Sequence, residues 1–239
     1  MTNSDFEHHP FLEEGKIEGA TKLILGSFPV YACTHANPNQ EYDGDCNLMF
    51  FYGSRHNDFW NYYSDHLDCE VSRLGGKRKI VESLERHKIA ITDIILSCNR
   101  KGESASDQDL LSRKYNCEML GEFLDSGVTK ILCTSKGVMG MLEHVIAKQH
   151  FPGKIQLLPL SDNLPHVKIL DEIGGSLLPN AKPISMAFLY DSRRIEVLSI
   201  PSPGSPFRGL RYFGYDREGS ASDYLSRYLE QVFKWFVFE

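Results

Sequence analysis

Four short apolar runs of strand type recur along the chain, and helix-type patterns separate them. The runs span residues 22–27, 89–96, 128–134 and 194–200. The helix-type patterns span residues 75–87, 110–124, 137–149 and 222–238. The second run is nearly continuous in its hydrophobicity, as expected for a parallel strand covered on both faces. Strands that alternate with helices predict an α/β fold with a mainly parallel sheet between helical layers.

Two stretches, residues 30–48 and 151–184, break this alternation because they are polar or rich in Pro and Gly. Loops of this length in a compact domain are usually functional or poorly ordered. Within the second stretch, residues 155–158 and 184–190 have strand character and predict a hairpin-like extension. A length of 239 residues, of which 41% are hydrophobic, suits one α/β domain. We therefore expect a single domain, residues 1–239, with insertions at about 30–48 and 151–184.

The formal charge of −6 argues against a protein that coats nucleic acid non-specifically, because phosphate contacts depend on Lys and Arg. The net charge does not exclude a local basic cleft, since Arg208, Arg211 and Arg217 cluster after the fourth run. The alternative is that these three arginines are solvated surface charges. No segment approaches the ~18 consecutive apolar residues of a membrane span, and residues 1–15 lack the pattern of a signal peptide. We expect a soluble, cytoplasmic monomer.

The six cysteines are scattered, with no pair at metal-ligand spacing. A chain of this length does not need disulfides to fold. Reduced thiols are therefore expected, with no metal and no cofactor.

Two of the apolar runs end in segments that contain Gly, Ser and Pro. Gly-Ser-Phe-Pro at 26–29 follows the first run, and Ile-Pro-Ser-Pro-Gly-Ser-Pro at 200–206 follows the fourth. Parallel strands present their carboxyl ends at one edge of the sheet, where α/β proteins bind ligands. The two segments therefore predict a pocket at this edge.

Two further segments complete a pattern. They are Phe-Tyr-Gly-Ser-Arg-His-Asn-Asp-Phe-Trp at 51–60, and Ile-Thr-Asp-Ile-Ile at 91–95 followed by Arg-Lys-Gly-Glu-Ser at 100–104 and Asp107. Over residues 22–210 the pattern resembles the uracil-DNA glycosylase superfamily, first its hypoxanthine-DNA (deoxyinosine) glycosylase branch and then the mismatch-specific uracil glycosylases. The resemblance implies a three-layer α/β/α sandwich whose central sheet has four parallel strands in the order 2-1-3-4.

The resemblance also implies roles for individual side chains in binding a base flipped out of the nucleic acid. Asn57 and Ser27 occupy catalytic positions, where the Asn57 amide holds water or the base and the Ser27 hydroxyl lies near the base. Tyr52 stands at the position of the stacking ring. Phe28, Tyr52, Asn57 and Ile200 are expected to contact the base.

A second group of residues is expected to contact the DNA strand. Backbone N–H groups near Ser202 and Ser205 are suited to holding a phosphate. Gly204 stands at the wedge position of several relatives and has no side chain, so Phe207 or Arg208 is expected to replace it.

Structural roles remain open for several of these residues. Asn57 can instead cap the helix that follows it, and Tyr52 can be a core or rim aromatic. Asp93 can bind a base or form an ion pair with Arg100, and the Ser202 hydroxyl can simply stabilise a turn.

The resemblance implies a monofunctional DNA N-glycosylase of base-excision repair. It would hydrolyse the N-glycosidic bond of a deaminated base, hypoxanthine or uracil, in DNA. The chain departs from the superfamily pattern at Phe28, Val30, Ile200 and Gly204. In the superfamily, these positions carry polar side chains, a glycine or a wedge residue. These departures keep open a catalytically silent nucleic-acid or nucleotide-binding protein on the same fold, and hydrolysis of free nucleosides is a third possibility.

Overall fold

The computed structural model describes residues 6–37, 40–148, 151, 153–159, 164–177 and 183–238. These residues contain nine strands and seven α-helices. The strands are β1 (Glu7–His8), β2 (Lys22–Gly26), β3 (Ile89–Asp93), β4 (Ile95–Arg100), β5 (Leu110–Tyr115), β6 (Lys130–Cys133), β7 (Ile155–Leu157), β8 (Ser185–Tyr190) and β9 (Arg193–Ser199). The helices are α1 (Tyr31–His35), α2 (Phe59–His66), α3 (Lys77–His87), α4 (Cys117–Ser126), α5 (Lys136–Ala147), α6 (Pro165–Ile173) and α7 (Ala221–Phe238).

The predicted α/β class is confirmed, but the main sheet has six strands where four were expected. Its order is β3-β2-β6-β9-β8-β7. The first four strands are parallel to one another, and β8 and β7 join antiparallel at one edge. Numbered by themselves along the chain, the parallel strands lie in the order second, first, third, fourth. The two extra strands cover β9, which would otherwise be an exposed sheet edge.

A two-residue turn explains how β8 joins the sheet. Tyr190 pairs with Arg193, so only Asp191 and Ser192 connect β8 to β9. Both have positive φ, 46° and 67°. Such left-handed residues give the backbone twist that suits a tight hairpin. The predicted pairing of 155–158 with 184–190 is also confirmed, because β7 pairs with β8.

Both faces of the sheet are covered. Ile24 packs in one apolar cluster with α2, α3, α6 and α7, whereas Leu23 and Leu25 pack in a second cluster with α4 and α5. This alternation follows from the two-residue period of a strand. The core therefore lies on both sides of β2.

The expected elements differ from the structure in two places. The run 89–96 divides, because β3 stays in the main sheet while β4 joins β1 and β5 in a separate antiparallel sheet. Residues 110–115, expected in a helix, form β5, and α4 begins only at Cys117. Pairing with β4 satisfies the backbone of 110–115, and this outweighs local helix propensity.

Neither long insertion is without regular structure. Helix α1 and an isolated bridge between Tyr42 and Leu48 lie in the first, and β7 and α6 lie in the second. Within the described ranges, no helix is long and apolar enough to span a membrane.

Candidate active site

The carboxyl ends of the four parallel strands meet at one edge of the sheet. The register pairs Gly26 of β2 with Asp93 of β3, and Cys133 of β6 with Ser199 of β9. Residues that directly follow these strands therefore emerge side by side, as the sheet geometry of this fold class requires.

The loops that the sequence places at this edge are hydrogen-bonded to each other. The backbone N–H of Asp58 donates to the carbonyl oxygen of Pro203 at 3.1 Å. Asp58 directly follows Asn57, and Pro203 directly follows Ser202. The loop that carries Asn57 and the loop that carries Ser202 therefore contact each other, although they are far apart in the chain.

Asn57 uses only half of its side-chain amide in the fold. Its Oδ1 accepts the N–H of Phe59 at 3.0 Å, at the start of α2. Within the described chain, its Nδ2 has no hydrogen-bond partner, and the residue is partly exposed. Asp58 occupies the N-cap position, so Asn57 stabilises the turn that leads into α2, and its NH₂ group remains available to a ligand.

Tyr52 and Asp93 place two unpartnered polar atoms around Gly26. The Tyr52 hydroxyl and Asp93 Oδ1 are buried without a partner that meets hydrogen-bond geometry. Tyr52 has φ 53°, rare for an aromatic residue, and its ring packs on Phe59 at 4.6 Å between centroids. Burial, reinforced by the Asp93 charge, raises the pKa of Tyr52 well above its usual value, so the hydroxyl is neutral. Buried polar atoms left unpaired are costly and mark candidate functional sites.

The substitution Gly26→Ala is expected to destabilise the protein by about 1–3 kcal/mol or more. A Cβ at this position would lie 2.1 Å from Asp93 Oδ1 and 2.2 Å from the Tyr52 hydroxyl oxygen. The free energy of unfolding in urea measures the effect. Gly204→Ala is the matched control, since its Cβ would enter open space. Equal stability of the two variants would contradict the crowding around Gly26.

His9, which the sequence did not single out, fixes the orientation of Asp93. His9 Nδ1 accepts the N–H of Phe11 at 3.1 Å, so its Nε2 carries the proton and donates to Asp93 Oδ2 at 2.9 Å. The alternative ion pair between Asp93 and Arg100 is wrong, because Arg100 binds Glu7 at 3.1 Å. This leaves the second oxygen of Asp93 beside Gly26.

Asp107 is a further acid at this edge, to which the sequence gave no role of its own. Burial raises the pKa of its carboxyl, although a hydrogen bond from the Ser27 hydroxyl and the charge of Arg113 oppose the shift. A Cβ on Gly137, in the first turn of α5, would lie 3.9 Å from Asp107 Oδ2. A carboxyl of raised pKa, next to a hydroxyl and a helix N-terminus, is a candidate acid or base.

The variant Asp107→Asn is expected to be more stable than the wild type near about pH 7. A raised pKa in the folded state means that the charged carboxyl opposes folding as pH rises. The gain should shrink as the pH falls and vanish below about pH 4, where the carboxyl is protonated in both the folded and the unfolded chain. Each kcal/mol gained raises the thermal midpoint by about 2–4 °C. Glu103→Gln, which removes an exposed charge from the same loop, should leave the midpoint unchanged. A midpoint for Asp107→Asn below that of the wild type at both pH values would refute this assignment.

Two predicted base-contact residues are buried. Phe28, 8% exposed, packs edge-on against His9 at 5.7 Å, and the Arg100 guanidinium carbon lies 5.6 Å from its ring centroid. Ile200 is fully buried and donates its N–H to the Cys133 carbonyl at 3.0 Å. Both side chains are buried, and their contact with a base stays a prediction.

The predicted DNA-contact residues lie on the surface. The N–H of Ser205 donates to the Ser202 carbonyl at 2.9 Å, which closes a turn. Phe207 is 56% exposed, and Arg208 is also exposed. Their roles stay predictions.

The cysteines offer no nucleophile at this edge. All six are free thiols. Burial raises the pKa of Cys133, at the end of β6, far above its usual value, so the thiol stays protonated at neutral pH. In the part of the chain that the structure describes, no three or more His, Cys, Asp or Glu residues gather to hold a metal ion.

The chain matches no protein-family profile and no curated protein sequence. Among solved structures, it is similar to the solution NMR structure of a "putative uracil DNA glycosylase" from Methanosarcina acetivorans. The two are 17% identical over 56% of this chain and 74% of that chain, with a TM-score of 0.38. At this level of likeness neither a family nor an activity follows for this chain.

Proposed function

We propose that this protein is a DNA N-glycosylase that hydrolyses the N-glycosidic bond of a deaminated base, hypoxanthine or uracil. The observation that carries the proposal is the contact between the Asn57 and Ser202 loops through Asp58 and Pro203. It brings an amide with a free NH₂ group and a Ser-Pro loop to one sheet edge. A flipped base needs such hydrogen-bonding groups, and its deoxyribose needs an oriented water.

In the proposed reaction, the oxygen of water forms a bond to C1′ of the deoxyribose. The C1′–N bond breaks, and its electron pair leaves with the base. Asn57 Nδ2 orients the base or the water, and Asp107 accepts the proton of the water. The raised pKa of Asp107 supports this role, because a carboxyl of higher pKa is a stronger base. Ser27 lies beside Asp107, and its hydroxyl acts to lower the pKa of this carboxyl.

The proposal is tested with labelled oligonucleotides that carry a single deoxyinosine, uracil or xanthine, each single-stranded and duplexed. Abasic products are cleaved with alkali and separated on a gel. Release of one base by the wild type, and loss of release in Asn57→Ser, is the expected result. A normal base in the same position is the control substrate. Absence of release from every oligonucleotide would overturn the proposal.

A catalytically silent nucleic-acid-binding protein is the second candidate. The burial of Phe28 against His9 and Arg100 favours it, because an apolar side chain occupies a position where relatives place a water-activating carboxylate or amide. DNA binding without release of any base would favour this candidate.

A further inference from the structure

A cleft of about 520 Å³ lies beside the candidate active site and combines cationic and aromatic side chains. The side chains that matter are Phe207, Arg208, Arg211, Tyr212, Tyr215 and Arg217. The cleft borders the carboxyl edge of the sheet, because Lys136, the first residue of α5, lies 5.1 Å from the centroid of the Tyr212 ring. Its volume falls in the range of about 300–1,000 Å³ that is typical of small-ligand sites.

The three arginines of the cleft are available to a ligand. All are exposed, and no ion pair between described residues involves Arg208, Arg211 or Arg217. None of the residues that line the cleft, all of them described, is acidic. Asp216 and Glu218 flank Arg217 in sequence but do not line the cleft. In a chain of net charge −6, this concentration of guanidinium groups points to an anion.

Tyr212 holds two of the cationic groups in place. Its hydroxyl accepts from Arg211 Nη2 at 3.0 Å, and the Arg211 guanidinium carbon lies 5.0 Å from its ring centroid. The Lys136 ammonium also lies over this ring. Aromatic rings attract cations in this geometry, so Tyr212 orients the positive charges.

Phe207 is the aromatic side chain that remains open for stacking. It is 56% exposed, and no ring or cation contact involves it among the described residues. Exposed aromatic rings next to arginines are how proteins bind single-stranded nucleic acid, because bases stack on the ring while the cations hold the phosphates. In a duplex, neighbouring base pairs cover the faces of each base.

We infer that this cleft binds the phosphates and one unpaired base of single-stranded DNA next to the excised nucleotide, with Phe207 as the ring on which that base stacks rather than as a wedge in a duplex. The inference rests on the proposed function in taking DNA as the ligand, and it adds the substrate class: single-stranded DNA in preference to duplex.

The test measures binding of undamaged DNA, which does not depend on base release. Fluorescence anisotropy measures the binding of two labelled probes. One is an oligothymidylate of about 15 nucleotides, within the length that single-strand-binding domains cover, and the other is a hairpin duplex with the same number of phosphates. Titrations run at NaCl concentrations from about 50 to 200 mM. We expect tighter binding of the single strand. Phe207→Leu should weaken it about tenfold without a comparable effect on the duplex.

The arginines have a separate readout. Each of Arg211→Gln and Arg217→Gln should reduce the slope of log affinity against log salt by about 0.7 for the single strand. Arg194→Gln is the matched control. It removes one guanidinium at the amino end of β9, away from the carboxyl ends of the strands where the cleft lies. The slope of log affinity against log salt should stay unchanged in this variant.

Two results overturn the inference: equal affinity for single strand and duplex, or unchanged single-strand binding in Phe207→Leu. Failure of the proposed function is distinguishable from both. If no base is released but the binding changes appear as stated, the cleft stands and the glycosylase proposal falls. If bases are released while the cleft variants bind normally, only this inference falls.

Discussion

The substitution Asn57→Ala is expected to slow base release by about 100-fold or more, the usual loss when one preorganised donor is removed from an active site. It also removes the acceptor for the N–H of Phe59, and loss of one such hydrogen bond costs about 1 kcal/mol of folding stability. Activity and stability should therefore both fall in this variant. Single-turnover kinetics and urea unfolding measure the two effects.

Asn57→Ser separates these two roles. A serine hydroxyl can accept the N–H of Phe59, so stability should stay close to that of the wild type. It has no NH₂ group at the position of Nδ2, so base release should remain slow. Asn61→Ala, in the first turn of α2, is the control for a general disturbance of the helix start, because Asn61 Nδ2 donates to Asp58 Oδ1 at 3.1 Å. Full activity of Asn57→Ser would leave Asn57 with a structural role alone.

The substitution Arg100→Ala is expected to cause the largest loss of stability, about 3–5 kcal/mol. The Arg100 side chain is 2% exposed, and its Nε lies 3.1 Å from both carboxylate oxygens of Glu7. Its two terminal nitrogens donate to the carbonyl oxygens of Pro29 and Ser104, each at 2.6 Å. Removing the guanidinium leaves the Glu7 carboxylate buried and unpaired, along with two backbone carbonyls.

The free energy of unfolding in urea measures this effect. Arg100→Lys should recover only part of the loss, because an ammonium group cannot reproduce the planar, forked contacts. Arg78→Ala is the control: its side chain is 83% exposed and faces Glu82 at 3.5 Å, so the loss should stay below about 0.5 kcal/mol. A loss below about 1 kcal/mol for Arg100→Ala would show that this network does not hold the loops.

Arg100 also shows why sequence could name the site segments but not their connections. It lies in the motif at 100–104 and binds Ser104 of that motif, but its other partners come from β1 and from the 26–29 loop. The sequence suggested Arg100 as the partner of Asp93. In the structure, His9, which lies near the N-terminus, binds Asp93 instead. Pairings between residues so far apart depend on how the strands are arranged, which local patterns do not encode.

Asp107 illustrates a second limit. The sequence includes it in a motif, but its raised pKa depends on burial, on Ser27 and on nearby charges. The same holds for the unpartnered Tyr52 hydroxyl, whose environment comes from Gly26 and Asp93. Electrostatic character is a property of the assembled environment, since desolvation and nearby charges set it.

By itself, the sequence determined the α/β class, the four parallel strands and the approach of two loops to one edge. Hydrophobic periodicity and the Gly, Ser and Pro breaks are local signals, and parallel strands necessarily align their carboxyl ends. Only the tertiary structure decided that β8 and β7 extend the sheet, that 110–115 is a strand and that Arg208, Arg211 and Arg217 share a cleft with Phe207. The reason is that strand pairing and surface clustering depend on contacts between distant segments, whose energies outweigh local propensity.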